Sequence, residues 1–97
     1  MTKWIITATL FDMAYPPTLR IVASFDGDEE EARSRFREVL NSYEGAARKV
    51  RRRQVFKFSD SQYFVRVEGR PGEFDYMMQL GELIADTQDP ELPDSIV

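Results

Sequence analysis

The sequence contains no cysteine, which removes any disulfide framework and excludes zinc or iron–sulfur ligation by thiolate. Histidine is absent as well. With it go the side chain best suited to proton transfer near neutral pH, the commonest transition-metal ligand and the base of the usual nucleophilic triads. No apolar run approaches the ~20 residues needed to cross a bilayer. The start, Met1 to Trp4 followed by a half-polar stretch, lacks the apolar core and small-residue cleavage site of a secretory signal. These absences point to a cytoplasmic protein that does not engage a membrane, with no cofactor and no metal.

What is present suits a small folded domain. At 97 residues a chain buries only about 60 to 65 % of its unfolded surface, which leaves room for one core. A hydrophobic content of 42 %, a charged content of 31 % and a net charge of −4 separate it from disordered and membrane proteins.

Residues Lys3 to Phe11 alternate, with Trp4, Ile6, Ala8 and Leu10 on one side, the period of a half-buried strand. Thr18 to Phe25 do the same. A single register places Trp4 opposite Phe25, Ile6 opposite Ala23, Ala8 opposite Ile21 and Leu10 opposite Leu19, with four apolar pairs on one face. Tyr15-Pro16-Pro17 reads as the connecting loop, because proline has no N–H to give a ladder. Asp26 to Glu31 reads as a turn with a capping aspartate and acids in the first helical turn. Ala32, Phe36, Val39, Leu40 and Tyr43 follow at helical spacing, and Gly45 is a natural C-terminal cap. Val50 to Phe58 and Gln62 to Glu68 predict a second hairpin around Asp60-Ser61, with Phe58 opposite Tyr63, Phe56 opposite Val65 and Arg53 opposite Glu68. Gly69-Arg70-Pro71-Gly72 turns into a second predicted helix from Glu73 to Asp86. Thr87 to Val97, acidic and containing two prolines, reads as a tail with little structure of its own.

Shifting the second strand and first helix by 44 positions lays Leu19, Ile21 and Ala23 on Tyr63, Val65 and Val67, and Ala32, Phe36, Val39 and Leu40 on Tyr76, Leu80, Leu83 and Ile84. The pattern predicts an internal repeat of a strand-strand-helix unit, residues 3–45 and 50–86, within one α+β domain spanning 1–86 and followed by the tail 87–97. Two such units most simply form a four-stranded antiparallel sheet with both helices on one face, an α/β-plait.

Two surfaces then stand out. In the second predicted helix Phe74, Met77, Met78, Gly81 and Ala85 form an apolar stripe beside the core stripe, a composition suited to an adaptable contact with a partner protein or a second copy in a homodimer. The helix could also bury both stripes in its own domain. The far sheet face is expected to gather Arg20, Arg51, Arg53, Lys57, Phe64 and Arg66, the aromatic-plus-cation composition with which open sheets hold nucleic acid. Strand cations also keep edges soluble.

Asp26, Asp28, Glu29, Glu30 and Glu31 lack the ligand spacing of a calcium loop, and a solvated helix start explains them. With Asp86, Asp89, Glu91 and Asp94 they would instead steer a basic partner. The C-terminal Ser95-Ile96-Val97 matches a short pattern read by strand-adding peptide-binding domains. For catalysis, Asp12, Asp60, Tyr15 and Tyr63 sit in no arrangement that supplies an activated nucleophile or a tuned acid–base pair.

No motif identifies a family. In size, charge and missing catalytic groups the chain resembles small acidic proteins such as immunity proteins, which neutralise a basic toxin, with no shared residues behind the likeness. The reading is therefore a non-enzymatic protein-interaction module that binds a partner or self-associates. The alternatives are a nucleic-acid binder using the basic face and a small ligand-binding or catalytic α/β-plait dimer.

Overall fold

In the computed structural model, which describes residues 1–12, 15–45, 47–70 and 72–96, the chain runs through β1 (Thr2–Asp12), β2 (Tyr15–Gly27), α1 (Glu29–Ser42), β3 (Arg48–Ser59), β4 (Gln62–Arg70) and β5 (Glu73–Glu82). All pairings are antiparallel, and the five strands form one sheet in the order β2-β1-β5-β4-β3. The architecture is mostly β with a single helix. The expected α/β-plait of four strands and two helices is thereby overturned.

The decisive difference lies at Glu73–Glu82, where a second helix is predicted and a central strand is found. Phe74, Tyr76, Met78 and Leu80 recur at every second residue as well as supplying part of a helical stripe, so a short window satisfies both periods. Neighbouring strands decide between them. β1 and β4 each present an unpaired backbone edge once their hairpins form, and β5 closes both ladders at once, pairing Ala8 with Met78 on one side and Tyr63 with Met78 on the other. A helix there would leave those N–H and C=O groups without partners. The internal repeat fails for the same reason, since the 50–86 segment contains no helix.

The helix that does form starts as its sequence dictates. The Asp28 carboxylate accepts from the Glu31 N–H at 2.8 Å, and Glu29, Glu30 and Glu31 occupy the first turn, where the positive end of the dipole stabilises them. Trp4 pins this junction, its indole N–H donating to the Gly27 carbonyl at 2.9 Å. Ala32, Phe36 and Leu40 turn inward onto Trp4, Ile6, Ala8, Val65, Val67, Tyr76, Met78 and Leu80, which together make the core. Phe36 meets Tyr63 edge to face at 5.6 Å between ring centres, and Tyr43 meets Tyr76 likewise at 5.2 Å.

Both hairpins contain an irregularity that moves side chains across the sheet. Trp4 pairs with Phe25 and Ile6 with Ala23, as expected, but the register then slips so that Thr7 faces Ile21, Ala8 faces Arg20 and Thr9 faces Leu19. In the second hairpin Ser59 pairs with Gln62, a slip follows, and Lys57 faces Tyr63, Val55 faces Val65 and Phe56 faces Phe64. The anticipated pairs Leu10–Leu19, Ala8–Ile21, Phe58–Tyr63, Phe56–Val65 and Arg53–Glu68 are each displaced by one residue. Because side chains alternate with period two, a one-residue slip transfers every following side chain to the opposite face. Strand β2 also begins earlier than expected, taking in Tyr15, Pro16 and Pro17.

Gly45 shows how tightly the helix exit is fitted. Its φ is +57°, and a β-carbon there would overlap the Tyr76 hydroxyl. Replacing Gly45 by alanine costs at least the ~1–2 kcal/mol of a left-handed non-glycine residue, so the melting temperature is expected to fall by roughly 5–15 °C. A thermal melt followed by circular dichroism checks this, and an unchanged midpoint would contradict the packing described.

Beyond β5 the Leu83 N–H extends the ladder to the Lys3 carbonyl at 2.8 Å. The tail is more ordered than its composition suggests. Asp86 and Asp89 each accept from the backbone N–H two residues on, at 2.9 Å, and the Asp86 N–H reaches back to the Pro93 carbonyl at 2.9 Å. These are Asx turns, in which a short carboxylate replaces a backbone acceptor. Pro71 of the Gly69–Gly72 turn and Val97 of the C-terminal pattern lie outside the described residues.

Candidate interaction surface

A 14-residue helix is ~21 Å long, and it covers one face of the sheet only. The other face is assembled from residues of all five strands. One row runs Leu19–Thr9–Met77–Phe64–Phe56 from edge to edge. A neighbouring row runs Ile21–Thr7–Gln79–Gln62–Ser59, and the other neighbour runs Phe11–Asp75–Arg66–Gln54. Leu19 is 59 % exposed, Ile21 63 %, Phe11 46 % and Phe56 45 %. Phe56 and Phe64 pack tilted at 5.9 Å between ring centres.

Charge on this face lies beside the middle row, at Arg66 and Asp75, and at its two ends. Arg66 donates to both Asp75 oxygens, at 2.9 and 3.3 Å, and also contacts the Glu73 carboxylate. These partners hold its guanidinium charged above the ordinary arginine range, the hydrogen bond to Asp75 contributing most. The same guanidinium lies 5.6 Å from the centre of the Phe64 ring. Arg52 sits opposite Glu68 at that end, and Lys3 opposite Asp26 at the other.

The residues anticipated as a helical stripe are therefore split by the strand. Met78 is wholly buried and Phe74 half-buried on the helix side, while Met77 occupies the centre of the open face and Gly81 lies beside Ile5 at its margin. Ala85 falls past the end of β5, at the start of the tail. Only Met77 and Gly81 share a face available to a partner.

The anticipated basic face is dispersed in the same way. Phe64 and Arg66 do face outward together. Arg20, opposite Ala8, lies on the helix side and borders a small cavity of about 80 Å³ with Thr18, Tyr43 and Tyr76. Arg53, opposite Val67, donates to the Tyr43 carbonyl. Lys57, opposite Tyr63, pairs with Asp60 at 3.0 Å, an ion pair that raises the lysine and lowers the aspartate from their ordinary values. Arg51 is exposed in the irregular stretch between Arg48 and Arg52. Of Arg20, Arg53, Lys57 and Arg66 only Arg66 faces outward, and it is already bound to two carboxylates.

The remaining concavities offer little chemistry. The 80 Å³ cavity is well below the ~300 Å³ of a metabolite pocket. Beside it Tyr43 is shifted above the ordinary phenol range, chiefly by burial and secondarily by Tyr76. A groove of about 360 Å³ between α1 and the second hairpin is lined by Arg33, Arg37 and Lys57, but Arg33 is engaged by Glu29 at 2.9 Å and Lys57 by Asp60. The tail folds over the end of the sheet to form an open cleft of about 610 Å³ lined by Asp26, Glu82, Asp86, Asp89 and Glu91. The structure thus unites Asp26 with three of the four tail acids, while Asp28, Glu29 and Glu30 line a separate surface. Among the described residues no group of acids is disposed to hold a metal ion, and no helix is long and apolar enough to cross a membrane.

Comparison with protein-family models, with curated proteins and with solved structures finds no match. The likeness to immunity proteins therefore rests on size, charge and missing catalytic groups alone. Of the residues on the open face, Leu19, Ile21 and Phe56 are assigned by alternation to the core, because nothing in an alternating pattern marks where a bulge will fall.

Proposed function

We propose that this protein is a protein-interaction module, working in the cytoplasm, whose uncovered sheet face docks on an apolar surface of a partner protein. The observation that carries the reading is the composition of that face. Leu19, Met77, Phe64 and Phe56, from four of the five strands, run through its middle row with Thr9 between them, the Arg66–Asp75 pair flanks that row, and Glu73, Lys3 and Asp26 lie toward its ends. An apolar centre with a charged rim is the anatomy of a protein interface, and contiguous apolar surface of this kind is rarely left open on a monomer. The acidic tail and cleft would act mainly on association rate and orientation.

Affinity capture with the full chain as bait, run beside a Met77→Glu bait, tests the reading. A protein retained in stoichiometric amount by the wild type and lost from the variant is expected, with both baits melting within a few degrees of one another. Identical retention by the two baits would refute it.

A further inference from the structure

The open edge of β3 points to a second copy of this chain: we infer that two molecules pair antiparallel along β3 about a two-fold axis at Phe56. This rests on a different surface from the sheet face discussed above and goes beyond that reading.

A five-stranded open sheet has two edges, here β2 and β3, and they are not equivalent. Both edge strands contain register slips, but the β2 edge is also blunted by Pro16 and Pro17, which have no N–H. The β3 edge carries no proline over Arg48–Ser59. It presents Val55, Phe56 and Phe58 at 41, 45 and 67 % exposure, the combination of unpaired backbone and apolar side chains that templates strand addition. Pairing of β3 with β3 is isologous and closes as a two-fold pair, whereas a β2–β3 contact would propagate a fibre.

Charge selects both the orientation and the register. The cations Arg51, Arg52 and Arg53 lie at one end of the strand and Asp60 just past the other. Parallel pairing would set the arginine run beside its own copy. Antiparallel pairing about Phe56 instead sets Val55 opposite Lys57 on each side of the axis, inside the slip that follows Lys57, and brings the arginines toward the segment that holds Asp60. No like charges then stand directly opposite, a juxtaposition that would be destabilising. Val55 and Lys57 both lie on the helix side of the sheet, opposite Val65 and Tyr63, so the Lys57 stem crosses Val55 of the other copy. On the open side, Phe56 already packs on Phe64 and would meet its own symmetry mate. The row Leu19–Thr9–Met77–Phe64–Phe56, apolar except at Thr9, would continue across ten strands.

A strand-edge contact of this length is small beside a standard interface, so a dissociation constant on the order of micromolar is expected. Sedimentation velocity of the full chain up to ~100 µM, a range chosen to exceed that constant, is the test. The wild type should sediment as a dimer. Val55→Lys sets two lysines opposite one another twice per dimer and should weaken association at least about tenfold. Val55→Lys combined with Lys57→Glu restores opposite charges at both positions and should recover the dimer. Met77→Glu, which alters the open face away from the edge, should remain dimeric. Melting curves of all variants separate lost pairing from lost folding, and the double variant distinguishes them even if Val55→Lys is destabilised. A wild type that stays monomeric overturns the inference, as does a dimer insensitive to Val55→Lys or one abolished by Met77→Glu. The last result would assign self-association to the open face, leaving the face reading intact while removing this one.

Discussion

Replacing Met78 by glutamate is expected to unfold the protein. Met78 has no exposed surface and lies in the central strand, between Ala8 on one side and Tyr63 on the other. Among the described residues the core contains no buried polar or charged side chain, so a carboxylate placed there finds no cation to pair with. An unpaired buried charge costs several kcal/mol, against a total stability of ~5–15 kcal/mol for a domain. The adjacent Met77→Glu variant should keep its fold, because Met77 points to the open face. Far-ultraviolet circular dichroism and urea titration of the two variants read the contrast directly. If both unfold, or neither does, the strand register through β5 is wrong. On a helix the two positions would lie about 100° apart and belong to one stripe, and their effects would be similar.

Phe36→Ala is expected to have the next largest effect, a loss of ~3–5 kcal/mol. Phe36 is 2 % exposed and stands midway along the inward face of α1, between Ala32 and Leu40, with its ring edge-on to Tyr63. It is the largest side chain by which the helix holds the sheet, and truncation leaves a cavity that α1 cannot close without moving. The expected fall in melting temperature is on the order of 20 °C. Phe56→Ala provides the comparison, since that residue is 45 % exposed on the outer strand and nearly half of its surface is already in contact with water. A comparable loss in the two variants would contradict the assignment of Phe36 to the core.

These contrasts show how much of the molecule was legible in its residues and where reading stopped. The first strand, the first helix with a capping aspartate at its start, the Trp4–Phe25 end of the first hairpin and the position of the second turn all follow from local patterns. Each needs only neighbours within a few positions: alternation, helical spacing, a carboxylate before an acidic turn. The stretch from Glu73 to Glu82 was not settled locally, because its apolar residues satisfy periods of two and of 3.6 together. The choice fell to β1 and β4, nearly seventy and about ten positions away, whose open ladders a strand could complete.

The candidate interface was legible only in part. Thr7, Thr9, Phe64 and Arg66 were placed on the outer face by alternation, and that placement holds. Leu19, Ile21 and Phe56 were assigned inward, and Arg53 and Lys57 outward, because a uniform register was carried through each hairpin. Two bulges reverse these assignments. They exchange an expected basic face for an apolar one, and with it the reading of what docks there.

The sequence by itself determined that this is a small domain without thiol or imidazole chemistry, with a capped amphipathic helix between two alternating hairpins. Those properties depend on composition and on contacts between near neighbours. The tertiary structure alone decided that the last element is a strand and which face each hairpin residue occupies. The first decision depends on satisfying backbone hydrogen bonds of strands brought together by the fold, and the second on where a hairpin ladder slips, since a single-residue slip inverts every side chain beyond it.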